Sequence, residues 1–212
     1  MIHKPRLPVQ QLCILVVLTS ILPYLPELIE YVGVPKPEVG KWVGIANAAS
    51  AISQATTAVP WGWASDYVGR KPIIIVCLTS TMIASIMLGM SRTLAMVVAT
   101  RALTGLVNGN IGIIRTMVAE IVPERELQPR AFSIMPLVWT IGSIFGPSFG
   151  GALARPVEKY PDLFGHSAFL RKYPFALPNL AAAGFFVVGI TVAVLFLKVL
   201  QPFSYTIHKA HI

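Results

Sequence analysis

The stretch Gly62-Trp63-Ala64-Ser65-Asp66-Tyr67-Val68-Gly69-Arg70-Lys71-Pro72 decides the fold. It reads as a tight turn that carries a carboxylate at a helix end, a glycine free to take positive φ, and two cations. Asp66 can accept from a neighbouring helix N-terminus or pair with Arg70, latching two helices in one of two arrangements. By spacing alone the same residues also suit a solvated charged turn. Its flanks are what make the turn informative. Apolar runs at 42–64 and 72–91 lie on either side, and each has the roughly twenty residues that a helix needs to cross a bilayer.

Moving outward, four more runs of the same kind appear at 11–31, 94–118, 131–154 and 175–199. The composition agrees: 55% of the 212 residues are hydrophobic and 12% charged, with a mean hydropathy of +0.69. A soluble domain carries about 25% charged residues, so this chain has too little polar surface to face water. In lipid only helices or closed barrels satisfy their backbone groups, and long unbroken runs select helices over ten-residue alternating strands. The expectation is an all-α integral membrane protein with six transmembrane helices over 11–200, an N-terminal tail at 1–10 and a short tail at 201–212. The opening His3, Lys4 and Arg6 before Leu12–Leu22 resemble a signal peptide, but no small-residue cleavage site follows, so the segment reads as an anchor that stays. The net charge of +8 comes from basic residues placed mostly between runs, with no basic stripe and interleaved aromatics for nucleic acid. These basic residues divide almost evenly between the two sides and leave the orientation open. Cys13 and Cys77 both lie inside runs and read as small buried hydrophobes. The histidines fall outside the spans, so no metal-ligand set and no cofactor is expected.

Several residues inside the runs are costly in lipid. Arg101 in span four must point into a cavity or toward a partner carboxylate, or else snorkel to the interface. Asn108, Gly109, Asn110 and Gly112 follow it. Glu27, in the outer part of span one between Pro26 and Leu28, is the expected partner, and it shares a helix face with Glu30. A partly buried carboxylate beside a cation is balanced to load and unload a proton. Pro23 and Pro26 interrupt span one and suit either a lined pathway or an ordinary bend. In span five, Gly142, Gly146, Pro147, Gly150 and Gly151 place glycines four apart around a proline, which lets helix backbones approach closely. Arg155–Tyr173 reads as a loop, with Pro156 and Pro161 as breakers.

The turn Gly62-x-x-x-Asp66-x-x-Gly69-Arg70-Lys71 resembles the loop signature of the major facilitator superfamily. The resemblance implies a cytoplasmic gating loop and hence both termini in the cytoplasm. Arg101 followed by Gly105 is similar to the family's fourth-span motif, whose arginine is tied to proton coupling, although Thr104 stands where glutamine is common. Gly142-x-x-x-Gly146-Pro147-x-x-Gly150-Gly151 resembles the motif of its drug:proton antiporters. Leu22–Pro26, Trp61-Gly62 with the Asp66 turn, and the stretches Arg155–Pro161 and Tyr173–Asn179 resemble the zinc-induced facilitator-like branch of plants and fungi, except that its N-terminal cysteine motif is represented by Cys13 alone. The implied function is proton-coupled antiport of a small solute (drug, organic acid, cation or metal chelate) across a vacuolar or plasma membrane. Such carriers consist of two six-span halves, each an inverted pair of three-helix repeats, with the substrate between the halves. No seventh span follows Val199, so the expectation is the N-terminal half, from a truncated gene, a fragment or a dimerising half-carrier, needing a C-terminal half or second subunit. The competing class is a non-transporting interaction or regulatory membrane protein. An enzyme is disfavoured because no span pairs a nucleophile with a histidine base, and ATP-driven transport because there is no phosphate-binding glycine loop.

Overall fold

The computed structural model describes residues 6–109, 112–113 and 128–196. The tail at 201–212, residues 1–5, Arg115 and the end of span four lie outside the described residues. Six long helices organise the described residues: α1 (Arg6–Tyr31), α2 (Lys36–Val68), α3 (Arg70–Gly89), α4 (Leu94–Val107), α5 (Gln128–Leu153) and α6 (Ala176–Phe196). Their ends follow local chemistry. Gly33 takes a φ of 98° between α1 and α2. Gly69, at φ 101°, is the single residue separating α2 from α3. Thr93 caps α4 by accepting from the Met96 amide at 3.3 Å.

Two sequence expectations are corrected. Span four does not run unbroken from 94 to 118: α4 ends at Val107, Asn108 and Gly109 are non-helical, and helix is seen again at Gly112 and Ile113. Alternating asparagine and glycine supplies side chains that compete for backbone groups and a residue without Cβ, so the helix breaks there. Arg155–Tyr173 is also not plain loop. It folds into three short helices, Pro156–Lys159, Pro161–Phe164 and Ala168–Lys172. Pro156 and Pro161 stand at first helical positions, where a missing N–H costs nothing.

The principal neighbours are α1 with α5, α2 with α4 and α3 with α6, joined by α1 with α6 and α3 with α4. Exchanging α1, α2 and α3 for α4, α5 and α6 maps this pattern onto itself. The first triplet starts at the Asp66 end and the second at the opposite end, so the bundle is a pair of inverted three-helix repeats. Two cores run through it, one of Ile74, Cys77, Leu78 and Phe186, the other of Tyr24, Leu25, Leu28 and Phe175. The outer faces are apolar as well: Ile52, Val59, Leu137, Ile144, Val188 and Leu195 are all exposed. In water that would be a large apolar patch; against lipid it is the expected surface. Among the described residues, α3 and α6 are the helices long and unbrokenly apolar enough to span by themselves. The other long helices carry prolines or polar groups.

The α1–α5 seam is a close backbone approach. A Cβ on Gly142 would strike Leu15, one on Gly146 would strike Thr19, and one on Gly150 would strike the Ser20 carbonyl. The Thr19 hydroxyl lies 2.8 Å from the Gly142 carbonyl, tying the two helices across the gap. Gly150→Val is therefore expected to destabilise the bundle by about 1–3 kcal/mol, the usual cost of overpacking. Gly44→Ala, whose added Cβ meets open space, should leave stability unchanged or raise it. Thermal unfolding of both variants in detergent checks the contrast.

Candidate functional site

α2 and α4 run in the same direction, and their polar side chains meet at a constant offset. Arg101 Nη2 donates to Asn47 Oδ1 at 2.6 Å, and Gln54 Nε2 donates to the Asn108 carbonyl at 3.1 Å; each pair is 54 residues apart. Between them, Gly105 lies so close to Ser50 that a Cβ would strike the Ser50 carbonyl. One heptad beyond Gln54, Trp61 donates its indole N–H to the Leu106 carbonyl at 2.7 Å, and its ring covers Gly109. The break in α4 frees carbonyls that lipid could not satisfy, and α2 supplies donors to two of them. Asn47 and Gln54 were not singled out from sequence, and Trp61 was named only within the branch resemblance. Their signal was present: a seven-residue repeat of polar or N–H-bearing side chains on α2 that matches Arg101 and Asn108 on α4.

Arg101 is 8% exposed and Asn108 7% exposed, and among the described residues neither Arg101 Nε nor Asn108 Oδ1 has a hydrogen-bond partner. Arg101 therefore holds its charge inside the bundle against a neutral amide. Glu27, the expected partner, is elsewhere. Glu27 Oε2 lies 3.5 Å from Arg155 Nε, and Glu158 contributes a second carboxylate to Arg155 at 3.4 Å. The reason is packing: α1 is seated on α5 and α6, whereas α4 is seated on α2 and α3. Arg155 closes α5 in the left-handed region at φ 51°, a strained conformation for a residue with a side chain. Glu30 pairs instead with Lys36 at 3.6 Å, both partly or fully exposed. Deeper on the same helix, Tyr24 donates to Asn179 Oδ1 at 3.0 Å, and Ser85 donates to the same oxygen at 2.9 Å. Asn179 returns its own amide to the Phe175 carbonyl, so one side chain joins α1, α3 and α6.

At the other end the 62–72 turn is held from within and from α6. Arg70 Nη2 lies 2.7 Å from Asp66 Oδ1, and Arg70 Nη1 donates to the buried Ser65 hydroxyl. Lys71 Nζ donates to the Val194 carbonyl at 2.7 Å, near the end of α6. Gly62 faces open space. On α5, Gly142, Gly146 and Gly150 face α1, Pro147 lies within the helix, and the Gly151 carbonyl accepts from Lys159. Among the described residues no group of three or more His, Cys, Asp or Glu side chains could hold a metal ion.

Two inverted triplets, a buried arginine at their polar seam and a charged turn after the second helix define one half of a two-part membrane carrier fold. The sequence matches the Major Facilitator Superfamily over residues 9–210, and the chain belongs to that superfamily as an integral, multi-pass membrane protein. It is 40% identical over 205 residues to the major facilitator superfamily multidrug transporter mfsB of Aspergillus fumigatus, covering 92% of this chain and 34% of that one. It is 35% identical over 176 residues to the Arabidopsis thaliana protein ZINC INDUCED FACILITATOR-LIKE 1, covering 82% and 37%. To the efflux pump azaK of Aspergillus niger it is 35% identical over 195 residues, covering 90% and 39%. Its fold is similar to the crystal structure of the human organic anion transporter MFSD10 (TETRAN), with a TM-score of 0.72 at 21% identity, covering 94% of this chain and 48% of that one. The chain thus spans about a third of the length of these curated relatives. The expected resemblance to the superfamily, and to its fungal and zinc-induced facilitator-like members, is confirmed.

Replacing Asn47 with leucine removes the hydrogen bond that Arg101 makes to α2. Asn47→Leu is expected to cost about 1–2 kcal/mol, the upper range for hydrogen bonds between helices in a membrane. Unfolding in mixed micelles measures it, and the double variant Asn47→Leu with Arg101→Leu should recover most of the loss.

Proposed function

We propose that this chain forms the N-terminal half of a secondary active carrier that exchanges a small organic solute for protons. The observation that carries the reading is Arg101, buried in the α2–α4 seam beside a broken helix and, among the described residues, hydrogen-bonded to a neutral amide. An intramembrane charge of this kind marks an ion or substrate pathway, and discontinuous helices line such pathways in carriers. The Asp66–Arg70 pair and the Lys71 hold on α6 supply a latch that can open and close with the bundle. The α5 glycines give α1 and α5 a smooth seam along which they can slide. The names of the relatives, a multidrug transporter and an efflux pump, favour export of a drug, organic acid, cation or metal chelate over uptake. We place the Asp66 end and both termini in the cytoplasm and the chain in a vacuolar or plasma membrane. The second half, or a second subunit, belongs against α2, where Gly40, Gly44 and Gly62 leave open space. A half that binds another carrier without transporting remains the competing reading, and the same open face of α2 favours it.

Reconstituted alone, the chain is expected to show no saturable flux; together with its second half it should exchange solute for protons. Arg101→Ala should reduce proton-driven exchange to background, and full coupling in that variant would overturn the role of Arg101. Asp66→Asn should slow turnover several-fold with half-saturation kept. Glu27→Gln should leave coupling intact, because Glu27 is spent on Arg155.

A further inference from the structure

At the end of the bundle opposite Asp66, three connections converge: the α1–α2 turn, the α3–α4 turn and the short helices before α6. The guanidinium of Arg92 stands 4.6 Å from the centre of the Tyr173 ring, and Lys172 Nζ stands 5.8 Å from the same centre. Two cations thus share one aromatic ring. A third cation, Arg171, follows from the same short helix and donates to the Gly165 carbonyl at 2.9 Å. Like charges at this spacing repel unless an anion lies among them. Three carboxylates of this end are engaged elsewhere, Glu30 on Lys36 and both Glu27 and Glu158 on Arg155. Among the described residues, no ion pair reaches Arg92, Arg171 or Lys172.

The space around these cations is open. Lys172 forms a wall common to two shallow cavities of about 530 and 480 Å³, one bordered by Arg171 and His166, the other by Arg92 and Tyr31. A second, independent feature says what enters them. The short helix that carries Arg171 and Lys172 also exposes Phe169 at 45%, and the short helix before it exposes Leu163 at 78%. Phe169 stands two residues before Arg171 in one helix. Cations set beside exposed aliphatic and aromatic groups match the boundary between headgroups and acyl chains, where amphipathic helices lie in the membrane plane. A soluble anion would need the first feature but not the second.

The geometry points to a binding site for the phosphate of an anionic phospholipid, formed by Arg92 and Lys172 around Tyr173, in the leaflet opposite the Asp66 turn. The phosphate diester lies in the cavity that Arg92 and Lys172 share, Arg171 adds positive charge from the neighbouring cavity, and the acyl chains run down past Phe169. This site is separate from the Arg101 seam and does not depend on whether the chain transports.

The test is native mass spectrometry of the full chain released from micelles containing equal phosphatidylglycerol and phosphatidylcholine. Retained phosphatidylglycerol is expected to exceed phosphatidylcholine, and the preference should fall roughly fivefold for each cation removed, in Arg92→Gln and again in Arg92→Gln with Lys172→Gln. Lys41→Gln changes the net charge equally at the same end but outside the cluster, and should keep the preference. Arg92→Lys, which keeps the charge, guards against loss of fold. Equal retention of the two lipids, or an equal drop in Lys41→Gln, would overturn the site. Inorganic phosphate arms the remaining distinction: if millimolar phosphate binds the lipid-free chain and displaces the lipid, a water-borne anion is the occupant and the lipid assignment fails.

Discussion

The structure depends on one constraint, that a polar group inside the bilayer must find its partner within the protein. α4 breaks at Asn108 and carries a charge at Arg101, and neither could persist against lipid. α2 answers both, with Asn47 opposite Arg101 and Gln54 and Trp61 opposite the freed carbonyls. Gly105 makes this possible by letting the α4 backbone come against Ser50. Once α2 and α4 are joined in that register, α3 has α6 to fill its other side, and α1 is left to α5. The inverted-repeat pattern of neighbours keeps the polar groups of α4 against their partners on α2.

The two seams that flank the bundle are built differently. Along their length, among the described residues, α1 and α5 meet through glycines, a threonine hydroxyl and backbone, with the Glu27–Arg155 pair at one end. α2 and α4 meet through a ladder of amides, an indole and a guanidinium. A seam of the first kind offers little resistance to sliding, because no hydrogen bond of a side-chain pair sets its register apart from Thr19. A seam of the second kind is specified residue by residue. The first seam is packed through backbone and the second through side-chain hydrogen bonds, an asymmetry that suits the proposed antiport.

Charge is handled by place. At the Asp66 end, Arg70 and Lys71 are committed to Asp66, Ser65 and the end of α6. At the opposite end, Arg155 holds two carboxylates while Arg92 and Lys172 share the ring of Tyr173. The first arrangement is a latch made by the protein for itself. The second leaves two cations that the proposed lipid phosphate would bridge.

The amino-acid sequence by itself determined the helical class, the placement of the long helices and the chemistry of the 62–72 turn. These are local consequences of apolar run length, of glycine at positive φ, and of a carboxylate four residues from an arginine. The glycines of α5 were equally legible as close-packing positions, since a missing Cβ has the same meaning wherever a second helix arrives. Which helix arrives was decided only by the tertiary structure. Glu27 and Arg101 look like partners along the chain, yet α1 and α4 have different principal neighbours, so Glu27 goes to Arg155 and Arg101 to Asn47. Charge attraction falls away with distance and cannot choose between partners until packing has set the distances. The break in α4 shows the same limit. Asparagine and glycine permit it, but only the donors on α2 make it affordable in lipid.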